Sequence, residues 1–438
     1  MFTSCHVPAR TGDRSLRSVV LVFSIVASAA FFPADVRAGE TLAFEQALRM
    51  AQDRSRQMAA QELAAAASRE MALAAGQLPD PMLRLGISSL PIDGADRFSL
   101  TRDFMTMRTV AVAQEFTREE KRRARTARFQ REAEAAQAER LLALSNLQRD
   151  TALAWLNRYY QERLRNVLAA QREETRLQIE AADAAYRSGR GSQADVFTAR
   201  TAVALIDDRI DQADRQVSTA TTQLARWVGG EARNPLGELP RTDFIRLQPA
   251  DLESQIIHHP QLVALARQEE VSLAESQIAR TDKLPDIGVE LMYSQRGPAF
   301  SNMVSFNVSI PLQWNQSNRQ DRELAAKLAL VHRIRAQREE ATRAHVAETQ
   351  TMLKEWQSNR ARLARYEDSL VPLASERTRA AVAAYRGGVS PLMAVLEARR
   401  AEIDTRIESL RLEWETGRLW AQLNFLIPTG HAAGVSPP

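Results

Sequence analysis

Four short stretches of this chain alternate between apolar residues and small or polar ones. Ile287, Val289, Leu291 and Tyr293 face away from Gly288, Glu290, Met292 and Ser294. Val304, Phe306, Val308, Ile310 and Leu312 likewise oppose Met303, Ser305, Asn307 and Ser309, and Leu83, Leu85 and Ile87 oppose Met82, Arg84, Gly86 and Ser88. Val110 and Val112 repeat the pattern more weakly. Period two with one apolar face predicts half-buried strands, here over 82–89, 105–116, 287–294 and 303–312.

Most of the remaining chain has a helical period. From about Arg118 to Arg187 there is no Gly or Pro, and Leu153, Leu156, Tyr160, Leu164 and Val167 recur at spacings of three and four, giving one apolar stripe. About seventy residues at ~1.5 Å each make a rod of roughly 105 Å. A second rod of similar length is predicted from about Asn318 to Arg386, and abundant Ala lets such helices approach closely, as in coiled coils.

The elements occur twice. "QLPDPMLRLGIS" at 77–88 returns as "KLPDIGVELMYS" at 283–294, and "VAVAQEF" at 110–116 as "FNVSIPL" at 306–312. "AYRSGRGSQADVFTAR" at 185–200 returns as "AYRGGVSPLMAVLEAR" at 384–399, and "IDDRI" at 206–210 as "IDTRI" at 403–407. Each half therefore reads helix, two strands, very long helix, glycine break, helix, which implies quasi-symmetry within one chain. The first repeat spans 39–228 with its tip at 187–192, and the second spans 251–428 with its tip at 386–391. A linker over 229–250 is marked by Asn234, Pro235, Gly237 and Pro240. The tail 429–438 is expected to be flexible.

Composition adds an address. Arg10, Arg14 and Arg17 precede an apolar run from Val19 to Phe32, followed by Val36-Arg37-Ala38, a small-x-small pattern. Residues 1–38 read as a cleaved signal peptide; a retained anchor is the alternative, but the run is short for a spanning helix. The single cysteine, Cys5, lies in that leader, so the mature chain has no thiol for a disulfide, a soft-metal site or a lipid anchor. The leader also holds four Arg and two Asp, which takes the formal net charge from +4 to about +2. Both signs alternate along the helices, so nucleic-acid binding is not expected. The Arg-rich "REEKRRARTARFQR" at 118–131 reads as a solvated helix start or a surface for anionic headgroups.

Rods are poor hosts for half-buried hairpins. Two hairpins resting on a helical core remain one reading of the strands. The other places their apolar face in lipid and their polar face on a water-filled lumen, the alternation of outer-membrane barrels. Four strands cannot close a barrel, and an open edge in a bilayer strands its hydrogen-bonding groups, so the chain must then oligomerise. Three copies would supply twelve strands. Trp314, just past the fourth stretch, suits an interfacial anchor.

The duplicated order, the "LPDP" and "LPDI" corners, the "QEF" and "IPL" strand ends and the paired "AYRSG" and "AYRGG" turns together resemble the TolC-like outer-membrane efflux family across essentially the whole mature chain. The stretch "LPIDGADRFSLTRDFMTMRTVAVAQEF" is most similar to the heavy-metal branch, which works with cobalt-zinc-cadmium or copper-silver pumps. The resemblance implies a mainly α fold in which long coiled-coil helices form a periplasmic α-barrel. Four strands per chain would contribute to a trimeric twelve-stranded transmembrane β-barrel. It implies a homotrimer in outer-membrane lipid, a periplasmic adaptor and an inner-membrane proton-driven pump. The copied stretches would be hairpin tips at the inner end of the duct, docking the adaptor through Tyr186, Arg187, Gly189 and Gly191 in one and Tyr385, Arg386, Gly387 and Gly388 in the other. Glycine there permits reversal without a Cβ clash. The family's closed aperture uses acidic side chains. Asp195 stands at that place in the first copy and Glu397 at a matching place in the second, whereas Ala394 departs from the expected carboxylate. A ring of Glu397 would attract cations.

No catalytic, cofactor or metal constellation is expected. His258 and His259 are adjacent, and His332 and His345 are thirteen positions apart, so neither pair shares a helix face. Met105 and Met107 would share one face of the second strand and could offer thioethers to copper or silver, though Met filling an apolar or lumen surface is the ordinary reading. Phosphate loops, nucleophile elbows and zinc spacings are lacking, so energy for transport would come from a pump. Two other readings compete: a periplasmic coiled-coil adaptor or scaffold, which would show no duplicated half, and a secreted enzyme.

Overall fold

A computed structural model describes residues 41–248 and 252–428. The predicted leader and the tail 429–438 lie outside them. The first repeat comprises α1 (Phe44–Arg54), α2 (Arg56–Ala75), β1 (Met82–Ser88), β2 (Met107–Phe116), α3 (Glu119–Arg187) and α4 (Gln193–Val228). The second comprises α5 (Leu252–Ile256), α6 (Pro260–Thr281), β3 (Ile287–Gln295), β4 (Met303–Ser309), α7 (Gln320–Arg365), α8 (Val371–Arg386) and α9 (Leu392–Asn424). The mainly helical, duplicated architecture read from the sequence is thus the one observed.

Helix α3 runs unbroken for 69 residues, roughly 100 Å at ~1.5 Å per residue. Its counterpart is not a single α-helix. A π-helical turn, Tyr366–Leu370, separates α7 from α8. The cause is Pro372, which the apolar periodicity conceals: its ring clashes with the preceding turn and it donates no N–H, so the helix widens there to continue.

The strands form one antiparallel sheet in the order β1-β2-β3-β4. Two ends differ from expectation. The fourth strand stops at Ser309 rather than 312, because Pro311 offers no ladder donor. The second starts at Met107 rather than 105, because Asp103 Oδ1 accepts from the Met105 and Thr106 backbone N–H groups and holds them in a turn. Met105 therefore lies outside the strand and shares no strand face with Met107.

The segment between the repeats is built into the main core. After Gly229 it makes a short 3-10 turn, Gly229–Arg233, and then Ile245 and Leu247 are buried with Leu42, Phe44, Trp155 and Trp420. Leu42 bridges Leu236 in a parallel ladder step. The two indoles are satisfied by main chain: Trp155 Nε1 donates to Leu42 O at 3.1 Å and Trp420 Nε1 to Phe244 O at 2.8 Å. Phe44 meets the Trp155 ring edge-on at 5.5 Å. This aromatic knot clamps both repeats at mid-length of α3 and near the C-terminal end of α9.

The Arg-rich start of α3 is likewise not a free basic patch. Lys121 Nζ lies 2.8 Å from both Asp282 and Asp286, Arg128 pairs with Glu132 at 2.7 Å, and Arg131 reaches Glu134 at 2.8 Å and Glu270 at 3.5 Å. These charges bind α3 to α6 and to the corner before β3.

Candidate functional site

The sheet register assembles continuous cross-strand rungs. Leu83 faces Val112, Val112 faces Leu291, and Leu291 faces Phe306; one rung further Leu85, Val110, Tyr293 and Val304 line up in the same way. All eight residues are exposed, Leu85 at 71% and Val304 at 70%. Among the described residues no helix covers this face, so the reading of two hairpins resting on a helical core does not describe it. A contiguous apolar sheet surface of this kind calls for an apolar partner.

The opposite face carries the intervening residues. Arg84, Ala111, Met292 and Ser305 form one rung, and Met82, Ala113, Glu290 and Asn307 the next. Arg84 Nη1 donates to Glu290 Oε2 at 2.8 Å, and Asn307 Nδ2 donates to Glu290 Oε1 at 3.2 Å. Alternation therefore sorts one greasy face from one wettable face across all four strands, while β1 and β4 keep free edges.

At the far end of the helices the two copied stretches adopt one backbone design. Gly189 N donates to Tyr186 O and Arg190 N to Ala185 O; Gly388 N donates to Tyr385 O and Val389 N to Ala384 O. Each is a Schellman C-cap centred on a left-handed residue, with φ of 71° at Gly189 and 73° at Gly388. The other two glycines do different work. Gly387 is right-handed, with φ −75°. Gly191 has a spatial role, since a Cβ there would meet the Ala185 Cβ at 3.1 Å. The tips share a core made of Ala182, Val196, Ala199, Leu392, Val395 and Leu396, with Tyr385 packed beside it. Tyr186, its repeat equivalent, is exposed, as is Val389 at 85%. Arg187 pairs with Asp183, and Arg386 lines a cavity between α3, α8 and α9 that also holds Arg399 and Glu402.

The two candidate gate carboxylates are not equivalent. Asp195 is the N3 residue of α4 and completes a capping box: it accepts from Ser192 N at 2.9 Å while Ser192 Oγ accepts from Asp195 N at 3.2 Å. That backbone hydrogen bond holds its carboxyl below the usual range. Its counterpart three residues into α9 is Ala394; Glu397 lies another turn along and is exposed. A carboxylate employed as a cap is poorly placed to serve as a mobile gate.

A histidine pair also emerges that one-dimensional spacing cannot show. His259 and His345, from different elements, lie with ring centroids 4.1 Å apart. His259 caps α6 by accepting from Gln261 N at 3.2 Å through Nδ1, and His345 Nε2 donates to Gln261 Oε1 at 3.0 Å. Burial, then His345 and then Arg149 push the His259 pKa down to about 4. Glu348 lies 3.8 Å from His345 Nδ1. A ring kept neutral in the fold but protonated at about pH 6.5 when unfolded binds fewer protons natively. Its stabilising contribution is full above pH 6.5 and declines as the pH falls toward 4. His259→Asn keeps a cap without the titration, so its thermal midpoint is expected to drop less than that of the parent between pH 7 and pH 4.5. Equal drops would remove His259 from the acid response.

The fold, two-faced sheet included, is similar to that of solved outer-membrane channel proteins. Residues 252–427 match the family model described as outer membrane efflux protein. Similar solved structures include a membrane protein from Pseudomonas aeruginosa, 17% identical, covering 87% of this chain and 89% of that one with a TM-score of 0.74. VceC from Vibrio cholerae is 18% identical, with coverage of 87% and 95% and a TM-score of 0.72. CusC is 15% identical, with coverage of 87% and 91% and a TM-score of 0.71. No curated protein sequence matches the chain. The family model thus matches the second repeat, and the solved channels share the fold of the whole described chain.

Proposed function

We propose that this protein is the outer-membrane duct of a tripartite efflux system, a passive channel built from three copies. The observation that carries the reading is the pair of uncovered apolar rungs, Leu83-Val112-Leu291-Phe306 and Leu85-Val110-Tyr293-Val304, backed by a polar face with its own hydrogen bonds. Acyl chains satisfy the first face, water the second, and further copies the free edges. Among the described residues no helix is long and apolar enough to cross a membrane, so the sheet is the part of the described chain that would enter the bilayer. A periplasmic adaptor has no use for such a face.

The hairpin tips around Gly189 and Gly388 are the proposed docking points for an adaptor, and a proton-driven inner-membrane pump supplies the energy. Heavy-metal cations are the proposed cargo, on the similarity of 90–116 to the heavy-metal branch. The protein is expected in the outer-membrane fraction, released only by detergent, with the mass of three chains. Recovery as a soluble periplasmic monomer without detergent would overturn the reading. Deleting the gene is expected to raise sensitivity to zinc, cadmium, copper or silver salts several-fold; unchanged sensitivity to all four would remove the metal assignment and leave the duct.

A further inference from the structure

The internal duplication predicts how one copy meets the next. Residues 77–88 correspond to 283–294, and 110–116 to 306–312. Within the chain the two repeats join where β2 pairs with β3: Val112 faces Leu291, Val110 faces Tyr293 and Ala113 faces Glu290. The equivalent junction between copies joins β4 to β1 of the next chain. Transferring the register sets Val308 against Leu85, Phe306 against Ile87 and Ser309 against Arg84. Apolar then meets apolar at 308/85 and 306/87 and polar meets polar at 309/84; a one-residue slip would put every side chain on the wrong face.

Arg84 and Glu290 occupy the same place in the two repeats and carry opposite charges. Their 2.8 Å ion pair spans β2, whose facing residues Ala111 and Ala113 are small enough to pass under it. Over β4 the equivalent residues are Asn307 and Ser309, and Asn307 already donates to the other Glu290 oxygen. Glu290 is therefore engaged on one side by its own chain's Arg84 and directed on the other toward the free edge.

We infer that, in the three-copy channel proposed above and resting on it, Arg84 and Glu290 alternate around the lumen as a closed belt of balanced charge. Each Glu290 serves the Arg84 of its own chain and, across Asn307 and Ser309, the Arg84 of the next. The belt fixes the register between copies and leaves the barrel at that level without net charge. Discrimination by sign then belongs elsewhere along the duct.

The test is a charge exchange, read as reversal potential under a salt gradient in planar bilayers and as heat resistance of the trimer in mild detergent. Arg84→Glu makes the belt all-acidic and is expected to shift permeability several-fold toward cations. Glu290→Arg makes it all-basic and is expected to shift it several-fold toward anions. Both single variants are expected to lower trimer stability, and the double exchange restores alternation and returns both readouts to the parent values. Unshifted single variants, or a double variant no better than the worse single one, would overturn the belt. A parent that forms neither trimers nor pores would overturn the duct itself. Should the single variants fail to assemble, S88C/S305C in the parent reads the register alone. Oxidation is expected to link chain to chain, whereas S88C/N307C, displaced by two residues, links poorly; the reverse order would overturn the register.

Discussion

Leu291→Arg is expected to cost about 2–4 kcal/mol of barrel stability, the penalty for a guanidinium on the lipid face near mid-bilayer. Met292→Arg, one residue along, is expected to be tolerated. The contrast follows from alternation alone. Leu291 stands between Val112 and Phe306 on the uncovered apolar face, whereas Met292 shares a rung with Arg84 and Ser305 on the wettable one. Denaturant-resolved unfolding of both variants in lipid vesicles measures the difference directly. Equal costs at the two positions would mean that the faces do not separate lipid from water.

Gly388→Val is expected to abolish export while trimers still form. Space is not the obstacle, since a Cβ at Gly388 meets nothing within 4 Å. The backbone is: at φ 73° an L-residue pays about 1–2 kcal/mol, and a β-branched one is a pronounced outlier. The cost falls on the cap that shapes the tip rather than on the sheet or the aromatic knot, so assembly survives and docking fails. Gly387→Ala is the control. It is already right-handed, and its added Cβ would come no nearer than 3.5 Å to the Ala383 carbonyl oxygen, so normal export is expected. Resistance assays with chromatography of the extracted trimer check both, and normal export by Gly388→Val would detach the tip from function.

What the sequence discloses here depends on whether a feature is local. Strand faces were legible because period two survives any tertiary context, and so were the tips, because a left-handed cap demands glycine. Their limits were set by single residues that periodicity ignores, Pro311 ending β4 and the Asp103 carboxylate delaying β2. Pro372 hid inside a helical pattern because a π turn absorbs it with the apolar stripe intact. Features that join distant segments left no trace: the His259–His345 contact, the burial of Ile245 and Leu247, and the Arg84–Glu290 bridge, whose members read only as polar-face positions of two separate strands. The helix starts align Asp195 with Ala394, the same departure from a carboxylate that the copied stretches display.

A cysteine scan along β3 in reconstituted vesicles tests the central claim most directly, with a bulky water-soluble thiol reagent reporting access to the lumen. Labelling is expected at 288, 290 and 292 and protection at 289, 291 and 293, in register with the two faces. Uniform labelling, or the opposite alternation, would contradict a sheet whose apolar side lies in lipid.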